Sequence, residues 1–301
     1  MAAGSAIHIS REQFHLTWDP VIPPIETVQS GSEVEFDLLD ASGGQLTSTS
    51  TVADIATLDF SRVDQVNGPI AVEGAEPGDV LQIDLLEFEP ADWGWTASIP
   101  GFGLLADDFT EPAYRVTAIP GAGKRAEFLP GIRLPVVPFC GELGVAPETG
   151  PRSTIPPDLH GGNMDTRHLT AGATLFLPVF HAGARFSIGD GHAAQGDGEV
   201  SGTAIEAPVE ATLTLDLRSD LELEWPIARI DGAWLTFGFD EHLGLAARIA
   251  VDGMLDLLER EHGLSRVDAL GLASIVVDLR VTQVVNEVLG VHAVLRDDAF
   301  V

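Results

Sequence analysis

The stretch VEATLTLD, residues 209–216, decides the fold class. Val209, Ala211, Leu213 and Leu215 alternate with Glu210, Thr212, Thr214 and Asp216. Successive side chains of a strand point to opposite faces, so a period of two gives one buried and one wet face. The same alternation runs through Val34, Phe36 and Leu38, through Leu81, Ile83 and Leu85, through Leu221, Leu223 and Trp225, and through Val277, Leu279 and Val281. Between these runs fall many of the 32 glycines and 19 prolines, the residues that punctuate turns. The pattern predicts a mainly β fold of α+β type: an antiparallel β-sandwich or barrel with a late helical segment.

That helix is expected from about Glu241 to His262. Asp240 would cap it, Leu243, Ala246, Ala247, Ala250, Met254, Leu257 and Leu258 would form one apolar stripe, and Gly263 would stop it. Ser265 and Asp268 open a short second helix in the manner of a capping box. Residues 90–175 read as loop, and loops that long are often functional. The length of 301 residues suits one unit, with two intertwined β-rich subdomains, about 1–150 and 151–301, as the way it would divide.

With 46 acidic and 16 basic residues the net charge is −30, which repels nucleic acid and anionic membrane surfaces. No apolar run is long enough to span a bilayer, and the first residues show no signal peptide. Cys140 is the one cysteine, so no internal disulfide forms, which fits a reducing, cytoplasmic setting. Lys124 is the one lysine, and any lysine-dependent mechanism must use it. There is no P-loop, no GxSxG elbow and no CxxC pair.

The chemistry concentrates in HGGNMD (160–165) and GDGHAAQGDGE (189–199). Asn163 and Asp165, Asp190 and His192, and Asp197 and Glu199 are each spaced i, i+2, so in extended chain each pair aims at one spot. His160 and Gln195 lie close by in sequence. Carboxylates with imidazole suit Zn²⁺, Mn²⁺ or Fe²⁺. Without a metal, paired carboxylates can still divide acid and base roles. A network of Asp/Gly turns is the structural alternative. Cys140, in an apolar loop, reads as packing. Trp93 and Trp95 would either line a pocket or fill a core.

These motifs, with PFCGELGVAP (138–147), VNGPIAVEGAEPGDVLQIDLLEF (66–88) and SIVVDLRVTQVVNEVLGVHAVL (274–295), resemble the acetamidase/formamidase family over nearly the whole chain. The resemblance implies hydrolysis of a small aliphatic amide, formamide or acetamide, to the acid and ammonia. It also implies a β-rich fold, a metal-containing site and a homo-oligomer. On that basis His192, Asp165 and Asp190 are expected to hold a divalent metal, Zn²⁺ first, with Ca²⁺ as an additional ion. Glu199 is expected to be the general base, with Asn163 and Gln195 bonding the amide or oxyanion. His160 and Asp197 would support the metal ligands, and His15 and Glu73 are more remote candidates. Two other readings stand beside this one: a metal- or Ca²⁺-dependent β-domain that binds a small ligand without turnover, and an amidase working through carboxylates alone.

Overall fold

The computed structural model describes residues 7–300. Two nine-stranded sheets carry the fold. In the first, Ile7–Ile9 lies at one edge, parallel to Ser32–Leu38. The order continues through Val209–Arg218, Val80–Pro90, Thr174–Pro178, Ile227–Ile230, Ala233–Asp240, Val288–Arg296 and Val277–Asn286, every neighbour antiparallel. The second sheet is built around Phe186–Ala194. That strand pairs with Phe139–Gly144 along one side, and with Val66–Val72 and Ile205–Glu206 along the other. Both sheets draw strands from both halves of the sequence.

The alternating residues do what their period demands. Val34, Phe36, Leu38, Ile83, Leu85, Leu213 and Leu215 turn inward and meet Ile70, Leu143, Phe186 and Ile188 of the second sheet. Phe36 and Phe186 touch edge to face at 6.3 Å. A side chain of this size contributes roughly 1.5–3 kcal/mol when fully buried. The outer face of the first sheet is covered by two helices. Leu243–His262 lays Ala246, Ala250, Met254, Leu257 and Leu258 on Val80, Phe176, Val291, Ala293 and Leu295. Gly263 stops it in the left-handed conformation, φ 64°. Ser265 then caps Arg266–Val276 by accepting from the Asp268 N–H at 3.2 Å.

Three expectations are corrected. The helix begins at Leu243 with His242 as its cap residue; Asp240 ends the preceding strand, and its carboxylate accepts from the His242 N–H at 2.8 Å. Leu221, Leu223 and Trp225 form no strand. Pro226 has no N–H to donate to a ladder, and the three side chains instead pack against the helical layer and Phe239. Residues 90–175 are not one loop: Trp93–Ser98, Ala113–Ala118, Arg125–Leu129, Ile132–Pro135, Phe139–Gly144 and Gly161–Asn163 are strands. Phe139–Gly144 is buried on both faces, which erases the alternation that would mark it.

Candidate active site

The central strand of the second sheet delivers the first two functional groups. Asp190 and His192 are i, i+2 on Phe186–Ala194, and His192 Nε2 sits 3.0 Å from Asp190 Oδ1. Cross-strand register places Glu206 opposite His192, with its Oε2 also 3.0 Å from Nε2. Asp165 approaches the other ring nitrogen, Oδ1 to Nδ1 at 3.8 Å. Glu199 completes a second cluster with Asp165 and His192. Ligand atoms of Asp165, His192 and Glu199 lie within 4.8 Å of one another, and so do those of Asp190, His192 and Glu206. His192 thus stands between two carboxylate pairs.

All these side chains are buried, and with Asn163, Asn286 and Asp64 they line a cavity of about 480 Å³. Trp95, Ile99 and Phe102 form its apolar wall. Gly141 lies against two of these acids: a Cβ there would collide with Asp190 Oδ2 and Asp165 Oδ1. Asp165 is held by Asn286 Nδ2, which donates to Oδ2 at 2.5 Å, and by Gln195 Nε2, which donates to its backbone carbonyl at 2.9 Å. Glu206 Oε1 accepts from the Ala204 N–H at 2.6 Å.

The electrostatics follow from burial. Burial and the neighbouring Asp190 charge push Asp165 up to about 6, against the opposing pull of His192. Burial also raises Glu206 to about 8, with His192 pulling it down. Burial raises Glu199 and Glu142 well above the usual carboxylate range, with Asp165 the leading acidic neighbour of the first and Asp64 of the second. Burial alone would lower His192, but Asp190 and Glu206 outweigh it and raise the ring well above its ordinary value. Five buried acids, Glu142, Asp165, Asp190, Glu199 and Glu206, surround one imidazole. A single positive ring cannot balance them, and among the described residues Asp165 Oδ1, Asp190 Oδ1, Glu206 Oε2 and both Glu142 oxygens have no hydrogen-bond donor. Buried charge of this kind is expected to be paired or to coordinate metal. The imidazole-plus-carboxylate set fits a divalent cation of the zinc type.

The other expected residues fall in different places. Asn163 lines the cavity with Oδ1 free of any donor. Gln195 lies outside the cavity lining and positions Asp165 through its backbone. Asp197 does not join Asp190 and Glu199: it groups with His168 and His292. His160 is buried edge-on against Trp18 at 5.1 Å. His15 is fixed between the Thr17 carbonyl and Ser187 Oγ, each at 2.8 Å. Glu73 bonds Gln29 at the surface. Cys140 is wholly buried, and burial pushes its thiol up, which leaves it a packing residue. Trp95 serves wall and core together, its Nε1–H donating to Asp40 Oδ1 at 3.0 Å. Glu206, Asn286, Asp64 and Glu142 were not anticipated. GELG and TAIE held the two glutamates in plain view, but their pairing with the site is set by cross-strand register.

The model of the acetamidase/formamidase family matches residues 4–152 and 148–295. An acetamidase structure from Bacillus halodurans superposes with a TM-score of 0.91 at 33% identity, covering 96% of this chain and 97% of that one. A predicted acetamidase/formamidase from Thermoanaerobacter tengcongensis gives 0.92 at 31% identity, covering 97% and 96%. The formamidase of Methylophilus methylotrophus is 28% identical over 243 residues, 63% of this chain and 60% of that protein. This chain spans about 60% of the length of the curated relatives it matches.

Proposed function

Because the chain belongs to the acetamidase/formamidase family, we propose that it hydrolyses a small aliphatic amide, formamide or acetamide, to the carboxylic acid and ammonia. The observation that carries this reading is the buried ring of carboxylates around His192 in the 480 Å³ cavity. The names of the relatives supply the reaction class.

His192, Asp165 and Asp190 would hold a divalent metal, Zn²⁺ by donor chemistry, with Glu199 and Glu206 in reach of the same space. When bound, such an ion supplies Lewis-acid polarisation and a more acidic water. Glu199 is the general base: it takes a proton from the attacking water and returns it to the departing nitrogen. Its raised pKa suits that shuttle, since a carboxyl buried among other acids takes up a proton readily. Asn163 donates from its amide to the substrate carbonyl as negative charge develops there. Gln195 and Asn286 hold Asp165 in place. Trp95, Ile99 and Phe102 present the apolar wall that a short alkyl chain needs.

The test is ammonia release from formamide, acetamide, propionamide and urea, before and after chelator dialysis and Zn²⁺ add-back. Release that vanishes and returns with the metal is the expected result. Activity that survives exhaustive chelation would favour the carboxylate-only reading, which the close approach of Asp190 and Glu206 to His192 supports. Glu199→Gln is expected to keep the fold and lower kcat by about 10²-fold or more; a near-normal rate removes Glu199 from the base role. The lone buried Cys140 is in keeping with a reducing compartment, and among the described residues no helix is long and apolar enough to cross a membrane.

A further inference from the structure

We propose that His168, Asp197 and His292 form a second divalent-cation site, of the kind that takes Zn²⁺, which fastens the turn carrying Glu199 to the C-terminal hairpin. One donor atom from each lies within 4.8 Å of the others, and none of the three belongs to the clusters around His192. The two rings face each other at 5.2 Å between centroids and 70° between planes. His292 is fully buried; its Nδ1 is engaged by Thr282 Oγ1 at 2.8 Å, while Nε2 has no partner among the described residues. A hydroxyl on one ring nitrogen fixes the ring and leaves the other bare, as the supporting groups of metal-bound histidines do. His168 Nε2 is likewise without a hydrogen-bond partner and lies 3.7 Å from Asp197 Oδ1. The second Asp197 oxygen turns to Arg280 Nη1 at 3.9 Å, which leaves Oδ1 for the ion.

Two imidazole nitrogens and one carboxylate oxygen make a zinc-type donor set. The side chains of His168 and Asp197 are 24% and 29% exposed, so water can reach a fourth position. A buried ring nitrogen with no partner has lost its water without replacement, and a cation would remove that penalty. The three ligands come from three segments: the turn after Gly161–Asn163, the turn at 196–200, and the strand Val288–Arg296. The backbone already ties the turn at 196–200 to the same hairpin through the neighbouring strand Val277–Asn286, for the Gly198 N–H donates to the Thr282 carbonyl at 2.9 Å and the Val284 N–H to the Gly198 carbonyl at 3.1 Å. Glu199 is two residues from Asp197 and lines the catalytic cavity. An ion here would therefore hold Glu199 in register without touching substrate. This site stands independently of the amide-hydrolysis reading.

The experiment is zinc content by mass spectrometry of the full chain, stripped with chelator, equilibrated with Zn²⁺ and desalted. Wild type, His168→Ala, His292→Ala and, as a control in the catalytic cavity, Asp165→Ala are compared, with Zn²⁺-dependent shifts in melting temperature recorded alongside. His168→Ala and His292→Ala are each expected to hold one Zn²⁺ per chain fewer than wild type and to lose part of the thermal gain. Because His168 is partly exposed, its variant decides the matter if His292→Ala fails to fold. The same zinc content in wild type and His168→Ala overturns the proposal. A loss of one equivalent in His168→Ala keeps it even if no amide is hydrolysed, so the two readings fail separately.

Discussion

Five of the seven non-glycine residues with left-handed backbone among the described residues line the one cavity: Asp64, Asp165, Asp190, Glu199 and Glu287. Such conformations cost on the order of 1–3 kcal/mol each for residues with a Cβ, and they persist where surrounding structure enforces them. Four of them, Asp64, Asp165, Asp190 and Glu199, are acids whose charges act on one another, so strain and charge repulsion are stored at the same place, while Glu287 is exposed. A separate electrostatic load sits just before Asp165 in the chain. His160 is 1% exposed, and burial, with Arg152 adding to it and Asp158 opposing, holds its ring at about 4. Its pKa in the unfolded chain is ordinary, near 6.5, so between pH 6.5 and 4 the unfolded state binds a proton that the native state refuses. Stability from this residue is complete above about 6.5 and falls as pH drops towards 4, by on the order of 3 kcal/mol in all. The raised acids Asp165 and Glu206 act in the opposite sense, favouring the fold as pH falls. A comparison with His160→Gln isolates the histidine: its urea midpoint is expected to decline more shallowly than wild type between pH 6.5 and 4. Parallel curves would mean that His160 takes up its proton in the native state.

At the scale of elements, the i, i+2 reading succeeds where the chain is a strand and fails where it turns. Asp190 and His192 lie on the one strand Phe186–Ala194 and meet there, even though Asp190 itself has φ 56°. Asp197 and Glu199 part company because Gly198 has φ 98° and Glu199 φ 44°, and the turn sends one carboxylate to His168 and the other to the cavity. Helix Leu243–His262 was legible from its stripe, whereas its distance from the sheet was not. Gly238 sets that distance: a Cβ would meet the Ala246 carbonyl oxygen and the Ala250 nitrogen, both backbone. Gly238→Ala must push the helix off its sheet, and overpacking of this kind costs about 1–3 kcal/mol. The expected result is a lower urea midpoint with an unchanged slope, and an unshifted midpoint would mean that the helix rides freely over the strand. Arg266–Val276 behaves differently. Val267, Leu270 and Ile275 are exposed at 79%, 54% and 82%, with Leu279 following at 51% on the next strand. A homo-oligomer, the state the family resemblance implies, would give these side chains a partner surface. Val267→Glu is then expected to shift the chain towards monomer in sedimentation; an unchanged mass excludes this helix from the contact.

For the molecule as a whole, the sequence shows the architecture more fully than the site. Alternation is a local signal, and the strands that carry the main core announce it. The site is assembled by register: Glu206 meets His192 across a ladder, and Asn286 reaches Asp165 from 121 residues away. No local pattern encodes those meetings. Charge, by contrast, is readable in full and acts globally. Forty-six acids against 16 bases leave a net charge of −30, which opposes compaction. Surface ion pairs oppose this trend locally: Arg266 with Asp252, Asp256 and Glu259, and Arg229 with Asp297. Exposed pairs of this kind contribute about 0–1 kcal/mol each and are themselves screened by salt. Bases are too few to pair most of the acids, so screening removes more repulsion than attraction. Raising NaCl from about 0.05 M to 1 M shortens the screening length to roughly 3 Å. The melting temperature is expected to rise, by about 2–4 °C for each kcal/mol of repulsion relieved. Chloride is the right anion for the test, because sulfate would also strengthen apolar burial and blur the cause. A melting temperature that falls with NaCl would mean that the few ion pairs outweigh the excess of acids.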